Sequence, residues 1–101
     1  ELDGFDSTLT TYDTDKLVEQ AQRAGTPIVD VRPKEMYAEG HIPGAVNIPL
    51  ADMQTADVKP GSVLYCMTGY HAGLAEEVLH KRGIRATDIS GMDFYHGPVE
   101  K

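Results

Sequence analysis

Val63 to Leu79 constrains the fold more than any other stretch of the chain. Three residues suited to a buried strand, Val63-Leu64-Tyr65, lead into Cys66, the only cysteine present. A short loop containing Gly69 follows. Leu74, Ala75, Val78 and Leu79 then recur at an interval of four and share one helical face. A strand that runs into a tight loop and then a helix aims the loop's backbone N–H groups inward, and the helix N-terminus adds about half a positive charge. Cys66 stands at the start of that loop, where a thiolate is best stabilised. A cysteine at a strand end also serves as a small buried apolar residue, so the local pattern leaves a reactive and an inert reading open.

The remaining sequence alternates in the same way. The acidic start, Glu1 to Leu9 and at most residues 1–10, reads as an extended arm or short edge strand. Asp13 or Thr14 can cap a helix whose apolar stripe is Leu17, Val18, Ala21 and Ala24, with Gly25 as its left-handed terminator. Pro27 blocks any continuation. Ile28-Val29-Asp30-Val31-Arg32 has three β-branched residues and reads as a strand, with Asp30 and Arg32 on one face. Two charges at the end of a buried strand are costly unless paired or functional. Lys34 to Glu39 makes a turn or two of helix ended by Gly40. Pro43-Gly44 is a turn, Ala45 to Ile48 a short strand, and Leu50 to Met53 a helical turn. After the central stretch, Gly83 ends the helix, Ala86 to Ile89 is the last strand, and the tail makes a turn and a short helix.

Helices alternate with strands, the connections are too long for hairpins, and the central strands are apolar on both faces. That pattern predicts an α/β fold, a parallel sheet of four to five strands flanked by helices on both faces. Ligand sites in such sheets lie beyond the carboxyl ends of strands, where Cys66, Asp30 and Arg32 all fall. A length of 101 residues allows one domain with one modest core, residues 1–101 as a single unit. A formal net charge of -7 argues against a nucleic-acid partner, which wants clustered Lys and Arg. A lone cysteine rules out an intramolecular disulfide and a multi-cysteine zinc site. His41, His71, His96 and Cys66 lack short ligand spacings, so no metal site is expected. No apolar run reaches the ~20 residues of a membrane span, and no signal peptide stands at the start, which begins at Glu1. The expected location is cytoplasmic, with periplasmic as the alternative.

Two segments resemble the rhodanese (thiosulfate sulfurtransferase) domain family. The first is Asp30-Val31-Arg32 with Glu35, Tyr37 and Gly40-His41-Ile42-Pro43-Gly44-Ala45-Val46-Asn47-Ile48-Pro49, similar to the family's D-x-R and G-H-I-P-G-A-x-N-I-P pattern. The second is Tyr65-Cys66-Met67-Thr68-Gly69-Tyr70-His71-Ala72, similar to its active-site loop Y-C-x-x-G-x-R-[SA]. Together they cover about residues 27 to 91. Two departures stand out. His71 occupies the usual arginine position, and a histidine is only partly charged near neutral pH where an arginine always is. The family's closing Gly-Gly and Trp are replaced by Gly91-Met92 and Phe94-Tyr95.

The resemblance implies a single-domain sulfurtransferase. Cys66 would take the outer sulfur of a donor such as thiosulfate, hold it as a persulfide, and pass it to cyanide, a thiol or a protein acceptor. Loop N–H groups of Met67, Thr68, Gly69, Tyr70, His71 and Ala72 would bind the transferred sulfur. Asp30 and Arg32, as a buried pair, and His41, as a hydrogen-bonded residue, would give structural support. The chemistry needs no metal or organic cofactor and no membrane. Two alternatives stand beside it: a non-catalytic module for partner binding or redox sensing, and a cysteine phosphatase or arsenate reductase of the same fold. The latter enzymes place five residues between Cys and Arg, whereas four separate Cys66 from His71 here.

Overall fold

The computed structural model describes residues 10–101, with side chains from Thr14 onward. The expected N-terminal arm lies outside the described residues. Helix α1 spans Thr10–Ala24, strand β1 Ile28–Asp30, α2 Lys34–Glu39, β2 Val46–Asn47, β3 Ser62–Cys66, α3 Tyr70–Lys81 and β4 Ala86–Gly91. Single 3-10 turns stand at Leu50–Asp52 and Met92–Phe94. The four strands form one parallel sheet in the order β2-β1-β3-β4.

Three of the four described strands end near a break in the chain. Pro33 follows β1, Pro49 follows β2, and β3 ends where the Cys66 loop turns away. Alternate side chains of a strand face opposite sides, and β3 uses both. Leu64 and Cys66 pack with Ala72, Ala75 and Leu79 of α3, while Val63 and Tyr65 pack with Val18 and Ala21 of α1. Helices α1 and α3 therefore cover opposite faces, and two apolar layers sandwich the sheet. A fully buried leucine such as Leu64 or Leu79 contributes roughly 1.5–3 kcal/mol to this packing.

Several sequence expectations shift in detail. Helix α1 already includes Thr10, so Asp13 and Thr14 lie within it and do not cap it. Thr14 is buried, and its hydroxyl donates to the Ile89 carbonyl at 3.0 Å, tying α1 to β4. Ala24 is exposed and does not join the apolar stripe. Gly25 does terminate α1, with φ 71°, and Thr26 N–H returns to the Ala21 carbonyl at 2.9 Å. The β1 ladder stops at Asp30, short of the expected Arg32. Strand β4 runs two residues past Ile89 and contains a bulge. Leu64 pairs with Asp88 but Cys66 pairs with Gly91, so β4 spends one extra residue there, and Ser90 takes a left-handed φ of 78°.

Candidate functional site

Cys66 is the last residue of β3, which lies between β1 and β4 in the sheet. It is 1% exposed, and its side chain lies on the α3 face of the sheet. Met67 and Thr68 carry the chain out, and Gly69 turns it into α3 with φ 102° and ψ -13°, a conformation that favours glycine. The turn brings the Gly69 N–H back onto Cys66 Sγ at 2.9 Å. Thr68 Oγ1 lies 3.4 Å from the Tyr70 nitrogen and accepts its hydrogen. Helix geometry leaves the first-turn N–H groups of His71 and Ala72 without acceptors inside the helix. The positive end of α3 thus begins four residues after the sulfur.

Strand β4 forms the outer wall of the loop. Gly91 lies so close to the Cys66 and Met67 carbonyls that a Cβ there would overlap their oxygens. Gly69 is confined in the same way, since a Cβ on it would come within 3.0 Å of Ser90 Cα. Asp93 N–H donates to the Met67 carbonyl at 2.9 Å. The bulge at Ser90 bends β4 over the loop, and Asp88 Oδ1 holds it by accepting the Ser90 N–H at 2.8 Å. Burial pushes the Asp88 carboxyl above its ordinary range, a rise that the Ser90 N–H partly opposes.

The loop's outward side chains form a rim. Tyr70 is 69% exposed, Met67 is 37% exposed, and Thr68 and His71 are also exposed. The Tyr70 and His71 rings meet edge to face at 5.4 Å. Ala72 points the other way, into the core beneath the sulfur. A groove of about 730 Å³ between α3 and β4 is lined by residues such as Glu77, His80, Arg85 and Thr87, and neither Cys66 nor any of residues 67–72 lines it.

Asp30 and Arg32 sit on the opposite face. Arg32 Nη2 reaches Asp30 Oδ2 at 2.7 Å and the Gly40 carbonyl at 2.7 Å, and both side chains are buried. Tyr65 completes this clasp. Its hydroxyl donates to Asp30 Oδ2 at 2.9 Å and accepts the Ile42 N–H at 3.0 Å. Burial, reinforced by the Asp30 carboxylate, pushes the Tyr65 phenol well above its ordinary pKa, so it stays a donor. Arg32, despite the cost of burial, is held above its usual value by Asp30. Asn47 Nδ2 donates to the carbonyls of Asp30 and Arg32, both at 2.9 Å. His41 stacks on Tyr37 at 3.7 Å, pairs its backbone with Glu100 and approaches the Glu100 carboxylate at 3.5 Å. His96 is held by Asp15 on α1, at 2.8 Å from ring to carboxylate.

The structure therefore gathers Cys66 to Ala72 into the end of β3, its loop and the first turn of α3, with Ala72 turned into the core, and sets Asp30, Arg32 and His41 behind the sheet. Sequence reasoning met Gly91 only as a departure from a closing Gly-Gly, and passed over Ser90 and Asp88, which wall the loop with it, and the Tyr65 hydroxyl, which closes the clasp. A glycine at the end of the last strand was the one available signal. Among the described residues, no group of three or more His, Cys, Asp or Glu side chains is placed to hold a metal ion, and no helix is long and apolar enough to cross a membrane.

This architecture defines an α/β domain with a cysteine loop at the carboxyl edge of a parallel sheet. The model of the rhodanese-like domain matches residues 13–93, and the chain belongs to that family. It is similar to the thiosulfate sulfurtransferase PspE of Escherichia coli, 32% identical over 69 aligned positions, which cover 62% of this chain and 66% of that protein. It is 47% identical over 38 residues, 38% of this chain, to the HTH-type transcriptional regulator Rv0324 of Mycobacterium tuberculosis. Among solved structures it resembles a rhodanese with anions from E. coli, at TM-score 0.66 and 29% identity, covering 75% of this chain and 98% of that one. The matched segment spans 17% of the regulator, and no more than 21% of three further curated relatives.

Proposed function

We propose that this chain is a sulfurtransferase that moves a sulfane sulfur through a persulfide on Cys66. The observation that carries the reading is the Gly69 N–H aimed at Cys66 Sγ, 2.9 Å away, at the head of α3. A backbone donor and a helix end beside one sulfur favour negative charge there, first on the thiolate and then on the persulfide. In the first step the Cys66 thiolate attacks the outer sulfur of the donor. An S–S bond forms to Cys66, the donor's own bond to that sulfur breaks, and the leaving group departs with the electron pair: sulfite from thiosulfate. In the second step the acceptor attacks the terminal sulfur and the Cys66 thiolate leaves. Cyanide would give thiocyanate, and a thiol would give a new persulfide. The family membership and the sulfurtransferase name of PspE support the reading.

The assay is mass spectrometry of the intact chain. Thiosulfate or a small persulfide should add about 32 mass units, one sulfur atom, and cyanide should remove them. Cys66→Ser should take up none. A folded wild type that accepts no sulfur from either donor would leave the second reading, a sensing or partner-binding module. The local similarity to a transcriptional regulator is the observation that favours that one.

A further inference from the structure

The sulfur and the surface through which it is reached have different chemistry. Cys66 is 1% exposed, so a donor must approach across the outward side chains of its loop. Two of these, Met67 at 37% and Tyr70 at 69% exposure, are among the few large apolar side chains left open on the described surface. Residues 66–72 contain no Lys, Arg, Asp or Glu. The one side chain there able to carry positive charge is His71, which is exposed and set edge-on to Tyr70. Negative charge lies close by. Asp88 pairs with Leu64 on the strand beside Cys66, and its carboxylate packs against Gly73 in the first turn of α3. Beyond the Gly69 N–H and the α3 terminus, the loop thus carries no fixed cation to offset the repulsion of a chain of net charge -7, which is about twice as strong for a dianion as for a monoanion, while the rim offers a thioether and an aromatic face to an apolar body.

We infer that the site prefers a sulfane donor with one negative charge and an apolar leaving group over the inorganic dianion thiosulfate, and that Tyr70 and Met67 determine this preference. The inference rests on the proposed Cys66 chemistry and names the substrate class for it. For an aryl thiosulfonate, the Cys66 thiolate takes the outer sulfur, the S–S bond to Cys66 forms, and the S–S bond of the donor breaks. The sulfinate leaves with that electron pair. One negative charge stays on the persulfide and one on the sulfinate, matching the two that entered. The ring of the leaving group would lie on Tyr70 and Met67 during the attack.

Three donors separate charge from body: thiosulfate, methanethiosulfonate and benzenethiosulfonate, each with cyanide as acceptor. Each kcat/KM is divided by the rate constant of the same donor with cyanide alone, which removes intrinsic reactivity. The normalised values should rise from thiosulfate to methanethiosulfonate to benzenethiosulfonate, by about tenfold or more overall. Tyr70→Ala should lower the benzenethiosulfonate value about tenfold and the other two by less than about threefold, while Tyr70→Phe keeps the preference. His71→Arg should raise thiosulfate use more than benzenethiosulfonate use. Tyr70 is exposed, so its truncation opens no cavity in the core, and a thermal melt checks the fold.

Thiosulfate matching the monoanions would overturn the charge argument. Equal loss on all three donors in Tyr70→Ala would overturn the role given to the rim. Either result leaves sulfur transfer by Cys66 standing. Failure of all three donors to load Cys66 would instead remove the sulfurtransferase reading, and this inference with it.

Discussion

The Tyr65 hydroxyl bridges two buried groups that have no access to water, the Asp30 carboxylate and the Ile42 N–H. Tyr65→Phe keeps the ring and its packing but takes the acceptor from the Ile42 N–H and one donor from Asp30, which retains Arg32. The expected loss is about 1–3 kcal/mol of unfolding free energy, read by denaturant titration. Sulfur loading of Cys66 should persist in the folded variant, because Tyr65 faces α1 and Cys66 faces α3. A stability equal to wild type would mean that the clasp does not depend on this hydroxyl. Asp88 gives a prediction of opposite sign. Burial raises its folded-state pKa above the unfolded value. The folded chain therefore binds more protons than the unfolded one between those two values, and stability falls as pH rises through that window. Asp88→Asn retains an oxygen for the Ser90 N–H and removes the charge. It should raise Tm at neutral pH, and the gain should shrink as pH drops toward about 4, where an ordinary aspartate protonates. A gain that stays constant with pH would show that the charge is not its cause.

At the scale of elements, the loop is shaped as much by β4 as by its own sequence. Gly91 has an extended φ of -175°, which any residue adopts, so the case for glycine there is close approach and not backbone strain. A methyl group would meet the Cys66 and Met67 carbonyl oxygens, which are backbone and cannot swing aside. Gly91→Ala should cost about 3 kcal/mol and impair sulfur loading, because the loop must move to admit it. Gly25 is the control. Its φ is 71° with nothing near a Cβ, so Gly25→Ala should cost roughly 1–2 kcal/mol of left-handed strain and leave loading intact. Urea titration and the mass assay on both variants test the contrast, and equal effects on loading would refute the wall assignment. The same elements mark what could be read beforehand. Strand β3, its loop and α3 were legible because period two gives way to period four around one glycine. Gly25 was legible because a left-handed stop has few other solutions. The start of α1 was not, because Thr14 is a polar residue buried by a partner 75 residues away, which no local pattern encodes. The β4 bulge was hidden for a related reason. It is a fact of register between two strands, and the sequence of either strand alone carries no register. The Tyr65 clasp and the His41–Glu100 bridge are likewise non-local, joining residues 35 and 59 positions apart.

At the scale of the whole molecule, the governing quantity is the net charge of -7. The radius of gyration is 13.0 Å, so the range of that charge depends on salt. At about 0.01 M ionic strength the screening length is roughly 30 Å, and an approaching anion feels the field of the entire chain. At about 0.15 M it is roughly 8 Å, and only groups near the loop count: the Gly69 N–H, the α3 terminus, His71 and the nearby carboxylates. Long-range repulsion and local attraction are thereby separable by salt alone. Added salt weakens the first strongly and the second less, because Cys66 is buried and the Gly69 N–H lies 2.9 Å from its sulfur. The kcat/KM for thiosulfate should therefore rise between these two ionic strengths, opposite to the fall seen when steering is attractive. The rise should be smaller for a monoanionic donor, whose interaction with the same field is half as large. Initial rates at fixed pH, with the salt varied in both anion and cation to expose competition at the site, decide the matter. A fall with salt for thiosulfate would mean that positive potential at the loop governs capture even at a distance, and that the acidic surface has no part in selecting the donor.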